Sequence, residues 1–322
     1  MKKFCPLPFV FLLFVYHGSA QEKKSSIYSK EFSVITENDA YLLTGDDGYY
    51  TNGLFLNFSW TGNKISANKK IHSLEIAQLM YTGQYGFFTD LSDIDRPVTA
   101  LLYAEYKQTS FNKNESVLQW SAMGGEMGAQ ALGRQTQDMV HNMIDTYTPT
   151  EWQFQLHSSV GANAEVNWAP NVFHNTGEKH FAFTPQVNAR AGMFFTDAST
   201  GFVIQWGAFE KNSRSALWNA RIGRSQETAG KKKELFFYFS PMVGYRIYNA
   251  TVQGGLFTHK QDDAQGLSRS LVPFFYRQKI GVLYAKNRID AGFSIVFDSR
   301  EAEEQRTNHW YGSIKIGYLF GK

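Results

Sequence analysis

The sequence predicts an all-β protein: an antiparallel transmembrane β-barrel of about 12 strands with a short helical insert. Three observations carry this reading. First, the stretch from Leu54 to Trp60 alternates strictly. Leu54, Leu56, Phe58 and Trp60 share one face, and Thr51, Gly53, Phe55, Asn57 and Ser59 share the other, which is the period of two that defines a strand. One face is large and apolar while the other is small and polar, as for a strand with lipid outside and a polar lumen inside. Second, aromatic residues make up 16% of the chain, yet the mean hydropathy is −0.35. Beyond the N-terminus no window offers about 18 unbroken apolar residues, which excludes a helical membrane protein. A barrel needs only alternate residues to be apolar. Third, the chain closes on Trp310, Gly312, Ile314, Ile316, Tyr318 and Phe320, alternating against Ser313 and Lys315. A soluble β-sandwich or an enclosed ligand-carrying barrel, whose strands also alternate, is the alternative.

In chain order, Met1-Lys2-Lys3, an apolar run from Phe9 to Tyr16, and Gly18-Ser19-Ala20 read as a signal peptide over residues 1–20. Residues 21–322 are then one outer-membrane barrel. Cys5 is the single cysteine and leaves with the signal, so the mature chain has no disulfide and no cysteine-based metal site. The formal charge of +3 falls to about +1 once Lys2 and Lys3 are removed. Without a large basic field, no nucleic-acid partner is expected. Alternation predicts strands at 31–37, 51–60, 71–80, 97–107 and 116–125. Further strands are predicted at 152–168, 181–195, 201–210, 235–246, 248–257, 271–285, 289–297 and 310–320. Between 128 and 151 the alternation fails, and helix formers run without Pro until Pro149, so a short helix is expected from about Gly133 to Ile144. Gln137 and His141, four apart, fall on one helical face.

Chemistry is expected in three places. Asn38 and Asp39 lie at a strand end beside Thr51. Asp39 is a hard oxygen ligand of the kind calcium takes, and Asn38 or Thr51 a hydrogen-bond donor to an oxyanion, although Asn-Asp is also ordinary turn chemistry. His141, on a non-strand segment inside a barrel, has the pKa range of a general base. Asp95-Arg96-Pro97 with Tyr103 could meet a phosphate or simply build a turn. His157-Ser158-Ser159 suggests a serine hydrolase only faintly, because neighbours on a strand point to opposite faces and no G-x-S-x-G elbow is present.

In order and spacing, Glu37-Asn38-Asp39, Tyr50-Thr51-Asn52-Gly53, Asp95-Arg96-Pro97 and Leu132-Gly133-x-Gln135-x-Gln137-x-x-x-His141, with Trp152 and Gln155-Leu156 beyond, resemble the outer-membrane lipid A 3′-O-deacylases. The resemblance spans roughly 30–168 and continues more loosely through the later strands. It implies a twelve-stranded barrel in the Gram-negative outer membrane, monomeric, with its active site facing the outer leaflet. The implied substrate is lipopolysaccharide, the implied neighbours are outer-membrane lipids, and the implied reaction is Ca2+-dependent hydrolysis of the ester-linked 3′-acyloxyacyl chain of lipid A. Carried over, His141 deprotonates the attacking water. Asn38, with a calcium ion at Asp39, stabilises the oxyanion, Thr51 positions the water or the ion, and Gln137 orients the imidazole.

One position departs from the family. Tyr147 stands six places after the histidine, where the family carries an acid; Asp145 and Glu151 are nearby. If that carboxylate tunes the histidine or the metal, this chain is slower, differently metallated or inactive on lipid A. The 81–96 loop is acidic where the family carries a basic residue, which fits a lipid A with fewer phosphates. Against the deacylase stand a non-enzymatic barrel (porin or structural) and a phospholipase-like esterase.

Overall fold

The computed structural model describes residues 27–43, 48–62, 68–84, 90–143, 145, 148–172, 180–225, 228–230 and 233–321. The expected signal peptide, the acidic pair Asp46-Asp47 and Tyr147 lie outside the described residues. Twelve strands close into one antiparallel barrel. They are β1 (Lys30–Asn38), β2 (Tyr50–Thr61), β3 (Lys69–Tyr81), β4 (Thr99–Phe111), β5 (Val117–Met127), β6 (Ser159–Ala169), β7 (Phe181–Gly192), β8 (Phe195–Ala208), β9 (Glu234–Asn249), β10 (Phe274–Lys286), β11 (Ile289–Asp298) and β12 (His309–Phe320). Each strand pairs with its sequence neighbours, and β1 closes the cylinder on β12. Among the described residues three α-helices interrupt them: α1 (Gly133–Met143), α2 (Ala250–Gln253) and α3 (His259–Ala264).

The alternation works as expected. On β2, Leu54 and Leu56 are exposed outward while Asn57, Ser59 and Thr61 are buried inward. Strand lengths run from 9 to 16 residues, enough for a tilted strand to cross a bilayer core, which takes about 9–11. No described helix is long and apolar enough to cross a membrane. An aromatic arc runs along the end that carries both barrel termini, from β12 across β2 to β5. Ring contacts run from Phe320 to Phe58, Trp60, His72, Tyr106 and Trp120. Aromatic girdles sit at membrane interfaces.

Three expected strands differ from the structure, each for a local reason. The 248–257 segment is not a strand of its own: β9 runs on to Asn249, whose side-chain oxygen accepts from Thr251 N–H and starts α2. The 152–168 segment is a strand only from Ser159, because Glu151–Phe154 coils into a 3-10 turn that buries Trp152. The break between 181–195 and 201–210 comes earlier, at Met193-Phe194, where the Asn163 side chain accepts from Phe194 and Phe195 N–H.

The lumen is filled at both ends. At the end with the termini, residues 209–225 and 228–230 fold inward. Trp218, Ala220 and Ile222 pack there on the inward-facing Ile71, Phe111, Val117 and Leu319, and the buried Lys69 ammonium donates to the carbonyls of Ser213, Ala220 and Thr228. At the other rim, Leu101, Met127, Leu156, Phe194, Ala250 and Leu267 form a second cluster. Between them lies a polar cavity of about 230 Å³, lined by Glu37, Glu105, Glu165, Arg190, Arg246 and Arg277 among others.

A candidate active site on the outer wall

Asn38 closes β1 facing outward, since its neighbour Glu37 lines the lumen cavity. Its amide donates to the Thr51 carbonyl at 2.8 Å, and its carbonyl accepts from Ala40 N–H at 2.8 Å. It thereby caps the 3-10 turn Asp39–Leu42, the use Asn serves at a helix start. Asp39 is 1% exposed; its two carboxylate oxygens accept from Ala40 N–H at 2.8 Å and Gly48 N–H at 2.9 Å. Thr51 is buried, and its hydroxyl meets that of Thr82 at 2.8 Å. The β2–β3 register shifts between Tyr50 and Asn52, a bulge of the kind that re-aims side chains beside active sites. The expected grouping of Asn38, Asp39 and Thr51 at one rim is therefore what the structure has.

The helical insert lies on the other side of the wall from the one expected. Leu79 on β3 and Tyr103 on β4 line the lumen cavity, so by alternation Gln78, Met80, Ala100 and Leu102 face outward. Met80 and Ala100 form a buried cluster with Ala131, Val98, Ile94 and Trp152, and Gln78 donates to the Ala131 carbonyl at 2.6 Å. Thus α1 and its flanking turns rest on the outside of the barrel. A helix whose polar residues would be stranded in a lumen already packed at that rim instead covers apolar wall. Gly133 allows the close approach: a Cβ there would come within 2.4 Å of the Trp152 ring and 2.5 Å of the Ala100 Cβ. Gln137 is buried under the helix, where its side-chain oxygen accepts from the Trp152 indole N–H at 2.5 Å. His141, half-buried, follows one turn later.

The strand register connects the two groups. Asn38 pairs with Asn52, Asn52 with Met80 and Met80 with Ala100, so one outward row crosses β1 to β4. Three inter-strand steps span about 14 Å. At one edge, Tyr41 lies over Gly312 of β12, and its hydroxyl meets Thr36 Oγ1 at 2.8 Å. At the other edge, α1 covers Ala100. Between these two edges Asn38, Asn52, Leu54 and Gln78 share the outward face of the wall, and we read this strip, flanked by Tyr41 and α1, as an external groove. None of Asn38, Asp39, Thr51, Gln137 or His141 lines the lumen cavity. Sequence reasoning missed Tyr41, Gln78 and Asn52 as groove residues; Asn52 stood within the quoted Tyr50-Thr51-Asn52-Gly53 run.

A carboxylate is a hard oxygen donor, so Asp39 fits a cation of the calcium kind by donor chemistry. Among the described residues no group of three or more His, Cys, Asp or Glu encloses a metal. An ion here would draw mainly on neutral oxygens beside Asp39.

The remaining candidates are structural. Arg96 is wholly buried and bonds Glu301 at 2.7 and 3.1 Å, Thr251 Oγ1 at 3.0 Å and the Pro97 carbonyl at 3.1 Å, with its guanidinium 4.1 Å from the Tyr81 ring centre. Four of its five N–H donors are spent on these partners and the side chain is wholly buried, so it offers no face to a phosphate and that reading gives way. Burial pushes Glu301 upward, but Arg96 and Arg246 outweigh it and hold the carboxyl down at about 2. Asp95 accepts from Tyr49 O–H at 2.7 Å and from Arg306 and Gln84 N–H. Burial, then this bond, pushes the Tyr49 phenol up to about 12. Tyr103 points into the lumen, where it donates to Glu75. His157 pairs with the buried Asp262 at 2.7 Å rather than with a serine.

The sequence profile of the family described as outer membrane protein LpxR matches residues 7–320. No curated protein sequence matches the chain. Among solved structures, LpxR from Salmonella typhimurium superposes with a TM-score of 0.71 at 19% identity, covering 90% of this chain and all of that one. The β domain of the Bordetella autotransporter BrkA gives a TM-score of 0.44 at 9% identity, over 92% of this chain and all of that one.

Proposed function

From the premise that this chain belongs to the LpxR family of outer membrane proteins, we propose that it is a lipid A deacylase, hydrolysing the ester-linked 3′-acyloxyacyl chain at the external groove. The observation that supports this best is which side of the wall the groove occupies. A site in the lumen would serve a water-borne solute, whereas a groove between α1 and the outward faces of β1 to β4 is open to a membrane lipid. Both barrel termini lie at the opposite rim, so the groove would meet the outer leaflet.

In this reading His141 takes a proton from water as it attacks the acyl carbonyl. The bond between the acyl carbon and the sugar oxygen then breaks, the acid leaves with the water oxygen, and the sugar alkoxide recovers the proton from the imidazolium. Asn38 spends one amide N–H on the Thr51 carbonyl and retains a second for the oxyanion. Thr51 supports Asn38 through that carbonyl, and Gln137 holds α1, and with it His141, against Trp152. Calcium bound at Asp39 would supply positive charge beside the acyl carbonyl.

The test is mass spectrometry of lipid A from cells expressing wild-type protein or His141→Ala, repeated on membranes with calcium or a chelator. Loss of a whole acyloxyacyl unit, dependent on His141 and calcium, is the expected result. An unchanged lipid A profile despite outer-membrane insertion would overturn it. Release of fatty acid from glycerophospholipid alone would favour the phospholipase-like esterase.

A further inference from the structure

A helix resting on a wall has two free flanks, and those of α1 differ sharply. Gly133 and Gln137 face the barrel. At about 100° per residue, Arg134, Asp138 and His141 (i, i+4, i+7) run along one flank. Along the other run Met139 and Met143 (i, i+4), with Val140 at its edge. The first flank is charged, with Arg134 and Asp138 forming an i,i+4 ion pair at 3.6 Å. The second is apolar and open: Met139, Val140 and Met143 are 58%, 37% and 78% exposed, and Leu132, just before the helix, is also exposed.

We propose that this apolar flank is an anchor in the membrane. Met139, Val140 and Met143 lie among the fatty-acyl chains of the outer leaflet and so fix the height at which His141 stands. Three features identify acyl chains as the occupant. The flank adjoins a surface that is already lipid-facing: α1 rests on outward positions of β3 and β4, and Leu74 and Ile76 on β3, with Leu54 on the neighbouring β2, are exposed. Two of its three side chains are unbranched methionines, which adapt to a disordered apolar partner. The opposite flank carries all the charge of the helix, the division expected of a short helix lying in the membrane plane rather than crossing it. At 11 residues it spans about 16 Å, too short to cross. The anchoring requires only the barrel in a bilayer; its consequence for His141 rests on the deacylase reading above.

The experiment uses full-length protein with Cys5→Ser, reconstituted in phosphatidylcholine–phosphatidylglycerol vesicles and carrying a nitroxide on Met143→Cys or on Arg134→Cys. Power saturation compares collision with oxygen, which concentrates in the acyl layer, and with a polar nickel chelate, which stays in water. The expected result is a reversal of the oxygen-to-nickel ratio between the two positions, with oxygen favoured at 143 and nickel at 134. Nickel favoured at both would overturn the proposal, and so would oxygen favoured at both. Spin–spin broadening at 143 that disappears on dilution with unlabelled protein would assign the flank to a second copy of this chain and overturn it equally. Heat-modifiable mobility on gels shows whether each variant forms the barrel. No readout depends on turnover, so an inactive enzyme with the expected depths would leave the anchor standing and sink only the deacylase.

Discussion

A buried amide whose oxygen is committed to an indole N–H holds structure in place, and Gln137 is such a residue. Replacing it with Leu leaves the Trp152 N–H buried without its acceptor, a loss of about 1–3 kcal/mol concentrated where α1 meets the wall. Gln137→Leu is expected to lower the deacylation rate while the barrel keeps its heat-modifiable mobility; equal loss of both would assign Gln137 to global stability instead. Glu301 makes a separate case. Its folded pKa of about 2 lies below the ordinary 4.5, so its contribution is full above about pH 4.5 and is lost as pH falls toward 2. Removing its closest partner through Arg96→Ala leaves the carboxylate with Arg246 at 3.9 Å and the Asn249 amide, at a cost of up to about 3–5 kcal/mol. Pepsin should then cut the 82–98 and 299–308 loops at a higher pH in Arg96→Ala than in wild type. These residue roles were only half legible. Asn38-Asp39 at a strand end reads correctly from sequence because turn chemistry is local. Arg96 does not, because its partner Glu301 lies 205 residues away and no spacing signals it.

At the scale of elements, the strands were legible wherever one face met lipid, since period two is then enforced by solvent on one side and packing on the other. The helix was legible as well: broken alternation predicted 133–144, and α1 spans Gly133–Met143. Which side of the wall it occupies was not legible, because periodicity reports that a face is buried but not against what. The same limit explains Trp152, Phe154 and Leu156. Their i, i+2 spacing imitates a strand, yet Trp152 is drawn under α1 and the segment coils. Gly133 tests this docking. In Gly133→Val the added atoms meet Trp152 and Ala100 at distances neither can yield, since both are fully buried. The helix must lift from the wall. Overpacking of this kind typically costs about 1–3 kcal/mol, here localised to α1. Deacylation should fall at least as far as in Gln137→Leu, with trypsin cleavage newly appearing after Arg134 and the barrel itself intact. Full activity in Gly133→Val would show that His141 does not depend on the docked position.

For the whole molecule, the question is whether the cylinder is a pore. Its lumen holds a cavity of about 230 Å³ between two packed ends, and the inner plug is held by buried polar contacts rather than by apolar packing alone. Lys69 satisfies three plug carbonyls. Arg221 bonds the Asp290 carboxylate and the carbonyls of Asn287 and Ile289. A cation that satisfies several carbonyls at once leaves all of them unsatisfied when it is removed, each at about 1–3 kcal/mol. The plug should therefore loosen sooner than the barrel, whose ladder hydrogen bonds are untouched. In planar bilayers the wild-type protein should pass no current above the bare membrane, and Lys69→Ala with Arg221→Ala should open brief, irregular conductance while the barrel remains heat-modifiable. A steady conductance in the wild type would mean that the ends are not sealed and would restore the porin reading. A closed wild type that opens in the double variant would mean that the lumen is a sealed scaffold, leaving the outer wall as the surface available for chemistry.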